Sequence, residues 1–218
     1  MGEFYILLCL LGAAIFWMGL PFIPRFSVEL SYGRYPVRMI CWYGTGILFL
    51  LFLTTNWWLL SFSFSPEFIA FIFVNIYVWF FSRWWQSHGK SAMPKTAYDG
   101  KTTNLYTMGP HYKRVKVFEI LFQDVFALSL IGLIYLLTGD ALLTGILFGA
   151  FFALTHVTTA LLFFGWRWAL FTLLMGFVAG TVVSVAYFFV PEPLYLLFAF
   201  HYAMYPLYLI TVKYFSRS

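Results

Sequence analysis

Residues 115–138 read VKVFEILFQDVFALSLIGLIYLLT, an apolar run that nevertheless carries Glu119, Gln123 and Asp124. A helix needs about 20 apolar residues to cross the roughly 30 Å hydrocarbon core of a bilayer, so this run has the length of a transmembrane helix. An ionisable side chain near the middle of such a helix costs about 2.5–3.5 kcal/mol on insertion scales, and it therefore faces a partner or a wet cavity. The stretch poses two questions together: what surrounds this helix, and what its carboxylates do.

Three similar segments precede it, at 4–23, 39–61 and 66–85, and three follow, at 141–164, 166–190 and 193–214. The chain of 218 residues is 62% hydrophobic and 10% charged, against about 25% charged in a soluble domain. These features predict an all-α protein, a polytopic transmembrane helical bundle of about seven spans, integral to a membrane. Trp57, Trp58, Trp84, Trp85, Trp166 and Trp168 fall near segment ends, where an amphipathic ring suits the headgroup level.

Charge orders the segments. Arg25, Arg34 and Arg38 lie between the first two, and Arg83, Lys90, Lys95, Lys101, Lys113, Arg114 and Lys116 between the third and fourth. Arg167 follows the fifth, and Lys213 and Arg217 close the chain. Seven crossings put all 13 basic residues on one side, leaving Glu3, Glu67, Asp140 and Glu192 on the other. The positive-inside rule then predicts an N-terminus outside and a C-terminus in the cytoplasm. The net charge of +5 reflects this topology and contact with the lipid bilayer, with no implication of nucleic acid. Cys9 and Cys41 stand alone in apolar spans and suggest neither a disulfide nor a thiolate site. The first segment lacks a basic n-region and an A-x-A site, and reads as a retained helix.

The organisation expected is one integrated membrane domain with three parts. Residues 1–85 form an N-terminal three-helix scaffold, 86–114 a cytoplasmic basic loop, and 115–218 a four-helix core. The turns Thr138-Gly139-Asp140, Phe164-Gly165-Trp166 and Pro191-Glu192-Pro193 are short and punctuated by Gly or Pro, which makes successive helices antiparallel neighbours. Gly176 and Gly180, four apart, allow another helix to approach closely.

The core gathers the ionisable groups. Glu119 and Gln123 share a face, whereas Asp124 is rotated about 140° from Glu119, so the two carboxylates should not converge. His156 lies on the fifth segment and His201 on the seventh. Two imidazoles and a carboxylate resemble a His/His/Glu metal site, for a divalent ion such as zinc. Alternatively, Glu119 takes a proton from water while the histidines steady an oxyanion. Structural explanations compete: each histidine as a helix–helix hydrogen-bond partner, Glu119 paired with Lys116 or Lys113, and Asp124 bonded to a nearby Ser or Thr.

From Leu147 to Tyr205 the chain resembles the CPBP family, the CAAX proteases and bacteriocin-processing proteins. That family shows E-E-x-x-x-R on one helix, F-x-x-x-H on the next and H-x-x-x-N two helices later. Here Glu119 is followed by Phe152-Ala153-Leu154-Thr155-His156 and then by His201. Ile120 replaces the second glutamate, Gln123 is read in place of the arginine and Tyr205 in place of the asparagine. The resemblance implies an intramembrane endopeptidase in which Glu119 activates water and His156 and His201 ligate a metal or stabilise the oxyanion, with Gln123, Asp124 and Tyr205 in support. Its substrate would be a membrane-associated or prenylated peptide cut near the cytoplasmic face. A non-catalytic relative that binds a partner or lipidated peptide is the alternative. A transporter, with the ionisable groups as a proton relay, is a third.

Overall fold

In a computed structural model the described residues form helices and their connections, with no strand among them. The structure describes residues 2–19, 35–56, 59, 64–88, 110–164 and 166–215. Among these residues there are seven α-helices: α1 (Gly2–Ala14), α2 (Pro36–Thr54), α3 (Pro66–His88), α4 (Pro110–Thr138), α5 (Ala141–Phe164), α6 (Trp166–Tyr187) and α7 (Pro193–Phe215). A π-helical stretch, Ile15–Gly19, extends α1. Three helical stretches, Pro36–Thr54, Arg114–Thr138 and Ala169–Tyr187, are long and apolar enough to cross a membrane. Most of the loop expected at 86–114 lies outside the described residues.

Local chemistry sets the boundaries. Proline opens α2, α3, α4 and α7, where its missing N–H has no helical partner to lose. Ser65 caps α3 by accepting from Phe68 N at 3.1 Å. The α4–α5 turn uses two devices. Gly139, at φ +67°, donates its N–H to Tyr135 O at 2.8 Å, and Asp140 Oδ1 accepts from Leu143 N at 2.9 Å. One correction falls on α2, which stops at Thr54 rather than running on to residue 61. Thr55 takes the left-handed conformation at φ 56°, and the local polarity of Thr54-Thr55-Asn56 overrides the apolar residues beyond. α6 likewise ends at Tyr187, where Phe188 N and Phe189 N turn back to Val185 O and Ala186 O.

The helices pack around α4. The Arg114–Thr138 stretch is 61% buried, against 28% for Pro36–Thr54 and 22% for Ala169–Tyr187, so α4 is the axis of the bundle. It touches α1, α2, α5, α6 and α7, while α3 packs on α7 through Phe71 against Phe198, ring centroids 4.9 Å apart. Of the N-terminal helices, α1 and α2 pack on α4, and α3 packs on α7. Trp17 in the π-helical stretch and Trp42 on α2 each donate an indole N–H to the other's carbonyl, at 2.9 and 3.0 Å.

α5 and α6 form the tightest pair. A methyl group built on Gly180 would lie 2.9 Å from Gly149 Cα, one on Gly176 3.1 Å from Ala153 Cα, and one on Gly149 2.8 Å from Phe177 O. Gly176 and Gly180 therefore do what their spacing suggests, and the facing helix is α5.

Candidate functional site

The ionisable groups occupy the half of the bundle nearest the start of α4. Lys116, Glu119 and Asp124 are all buried there, at 3%, 9% and 1% exposure. Lys116 Nζ donates to Glu119 Oε1 at 2.7 Å, and Gln123 Nε2 donates to the same oxygen at 3.1 Å. The three side chains lie at i, i+3 and i+7 on one face of α4, so the helical repeat alone brings them together.

Asp124 turns elsewhere, as its angular offset from Glu119 requires. Its Oδ1 meets His201 Nδ1 on α7 at 2.9 Å, joining residues 77 apart in the chain. This corrects the expectation of a serine or threonine partner. The imidazole reaches Asp124 from the facing helix and so satisfies one buried carboxyl oxygen across the bundle. The other oxygen, Asp124 Oδ2, is buried without a hydrogen-bond partner.

His156 stays with its own helix. Its Nδ1 lies 2.8 Å from Phe152 O and 3.3 Å from Thr155 Oγ1, and its ring lies against Phe152 with centroids 4.0 Å apart. A carbonyl oxygen only accepts, so Nδ1 carries the proton and Nε2 of the neutral ring is bare. It is therefore not the helix–helix hydrogen-bond partner considered above. The phenylalanine of F-x-x-x-H thus gives the histidine both a carbonyl and a ring to rest on.

These parts share one neighbourhood. His156 is within electrostatic reach of both His201 and Lys116, and the buried Tyr202 is within reach of Lys116. Three helices therefore contribute: α4 with Lys116, Glu119, Gln123 and Asp124, α5 with His156, and α7 with His201 and Tyr202. Tyr205 lies in α7, with its side chain outside those described. Tyr202 went unnoticed in the sequence, where its only signal is adjacency to His201.

The donors do not assemble as a metal centre. Among the described residues, no group of three His, Cys, Asp or Glu side chains is placed to hold an ion. Glu119 is engaged by Lys116 and Gln123, and His201 by Asp124. The His156/His201/Glu119 ligand set does not fit a zinc site as arranged, and no chemical step below passes through one.

No protein-family model matches the chain, and no curated protein or solved structure matches it. Counted from Glu119, the arginine place of E-E-x-x-x-R falls on Asp124 rather than on Gln123. A position that is basic in the pattern is acidic in this chain, and the nearest buried cation is Lys116, three residues before the glutamate.

Proposed function

We infer that the chain is a multi-pass membrane protein of seven spans, with its N-terminus outside and its C-terminus cytoplasmic. We further infer that the cluster between α4, α5 and α7 hydrolyses a peptide bond near the cytoplasmic face, in the manner of a divergent CPBP-type endopeptidase. The observation that carries this reading is the way both imidazoles are held. Each is fixed through Nδ1, His156 by a carbonyl and His201 by a carboxylate, which directs both Nε2 atoms away from their supports.

The chemistry follows from those supports. Glu119 takes a proton from water, and the water oxygen bonds to the peptide carbonyl carbon. His156, bare at Nε2, accepts a hydrogen bond from that water and orients it. His201, held at Nδ1 by Asp124, turns Nε2 toward the developing oxyanion. The tetrahedral intermediate collapses with rupture of the C–N bond, and Glu119 returns its proton to the leaving amine. Lys116 and Gln123 hold the carboxylate in place throughout. A membrane-associated or prenylated peptide is the substrate class this position favours.

One observation favours a second reading. Glu119 Oε1 already accepts from both Lys116 and Gln123, so that oxygen is engaged within its own helix before any water reaches it. A non-catalytic CPBP-like protein that captures a partner or lipidated peptide would keep just such a neutralised pair. Incubating purified protein with a farnesylated peptide series and analysing products by mass spectrometry separates the two. Hydrolysis requires product from the wild type and none from Glu119→Gln at unchanged thermal stability. Capture without product, equal in both proteins, supports binding alone, and product from Glu119→Gln removes the proposed base.

A further inference from the structure

α3 meets α7 through Phe71, whose ring packs on Phe198 and Tyr195. Another side of α3, about 100° around the helix from Phe71, carries Ile72, Ile76 and Trp79, all exposed. One polar group stands in this apolar strip. Asn75, together with Ile76, Trp79 and Phe80, lines an open notch on the flank of α3.

Asn75 is only half satisfied. Its Nδ2 donates to Phe71 O, one turn back on the same helix, at 2.8 Å. A primary amide has two N–H groups and a carbonyl oxygen, so one N–H and Oδ1 remain, and among the described residues neither has a partner. Asn75 lies nine residues after Pro66, about 14 Å along the helix and near the middle of a 30 Å core. Hydrocarbon chains offer an amide nothing at that depth, and lipid hydroxyls and headgroups sit about 15 Å away, at the interface.

A second amide at the same depth supplies both the donor and the acceptor that are missing. Ile72, Asn75 and Trp79 follow one another at spacings of three and four, the pattern of a helix seam that faces another helix. Two copies of the chain inserted in the same sense, related by a twofold axis along the membrane normal, bring their α3 helices together in parallel, so each Asn75 faces its own copy. Each spare N–H then donates to the other copy's Oδ1, and a lone asparagine in such a seam fixes the register of the pair. Arg83 lies eight residues further along, about 12 Å, with its guanidinium over the Trp79 ring at 4.4 Å, so its charge stays away from the depth of Asn75.

We propose that α3 is the contact surface between two copies of this chain, a parallel helix pair closed by Asn75 against Asn75. The proposal rests on α3 crossing a membrane and not on hydrolysis at Glu119.

The test uses the full chain, with Cys9 and Cys41 replaced by serine, in phosphatidylcholine vesicles. Ile72 and Phe73 are adjacent and both exposed, but Phe73 lies about 160° around the helix from Asn75. Under mild oxidation Ile72→Cys should give a disulfide-linked dimer, and Phe73→Cys several-fold less. Energy transfer between labelled copies, followed as the protein is diluted in lipid, should give an association constant about tenfold lower for Asn75→Leu, as the loss of two interhelical hydrogen bonds implies. Leucine is a good helix former of similar size, so this variant keeps the span, and Asn75→Gln, which retains donor and acceptor, should restore association. Equal cross-linking at both positions, association unchanged by Asn75→Leu, or a monomeric wild type whose notch is left to lipid would each overturn the proposal. Protein released from the vesicles by alkaline carbonate would strike the membrane reading together with this one, whereas a retained monomer strikes this one alone. Glu119→Gln should leave association unchanged, which separates the pairing from the hydrolase reading.

Discussion

Gly149→Ala and Gly180→Ala test the α5–α6 contact on which the position of His156 depends. A methyl at residue 180 would lie 2.9 Å from Gly149 Cα, and one at residue 149 would lie 2.8 Å from Phe177 O, whereas ordinary contact begins at 3.4 Å. Both obstacles are backbone atoms, which no rotamer change moves aside, so the helices must part by about half an ångström. Overpacking of this kind costs about 1–3 kcal/mol, and Ala in place of Gly returns up to about 1 kcal/mol of helix propensity. Each substitution should therefore destabilise by about 1–2 kcal/mol, a five- to thirty-fold loss in the folding equilibrium. The double variant should lose less than the sum, because one separation of the helices accommodates both methyl groups. Gly44 on α2 is the internal control: a methyl there meets nothing within 4 Å, so Gly44→Ala should be neutral or stabilising by up to about 1 kcal/mol. Reversible unfolding in mixed detergent micelles, followed by far-UV circular dichroism, reads all four proteins. Neutral single variants, or a fully additive double variant, would refute the close-approach argument.

Removing one partner of the Asp124–His201 pair should destabilise by about 3–5 kcal/mol, while Asp124→Leu with His201→Leu should recover most of that loss, measured as a double-mutant cycle in the same micelles. Asp140→Ala removes the α5 cap and should lower stability by about 1 kcal/mol, with Asp140→Asn close to wild type in the same assay. In a background lacking Cys9 and Cys41, a cysteine at position 91 should react with an impermeant maleimide only after the membrane is opened on its cytoplasmic side. One at position 140 should react from the outside. The same sidedness for both would overturn the seven-span topology.

Short-range features were legible. Gly139 and Asp140 announced the α4–α5 turn because left-handed conformation and capping are properties of single residues. The 100° step of a helix separated Glu119 from Asp124 and grouped Glu119 with Gln123, and each carboxylate indeed has partners of its own. The pairing of Asp124 with His201 was not legible, since periodicity says which face a residue occupies and not which helix lies opposite. The central place of α4 was hidden for the same reason: its polar residues pointed to a buried face without showing that α1, α2, α5 and α7 all converge on it. The end of α2 was missed because the residues after Thr55 are apolar, and a hydropathy pattern does not register a left-handed residue.

The two carboxyl contacts of α4 also differ in when they can exist. Lys116 and Glu119 emerge from the ribosome three residues apart and can join as soon as the helix forms. Asp124 waits for His201, 77 residues later, which at 5–20 residues per second is roughly 4–15 s of synthesis. In the proposed topology, a nascent span carries a carboxyl group at mid-membrane throughout that interval, with its eventual partner not yet made. On that topology the last helix completes the burial of the fourth, and a chain stalled before residue 201 would leave Asp124 without its partner.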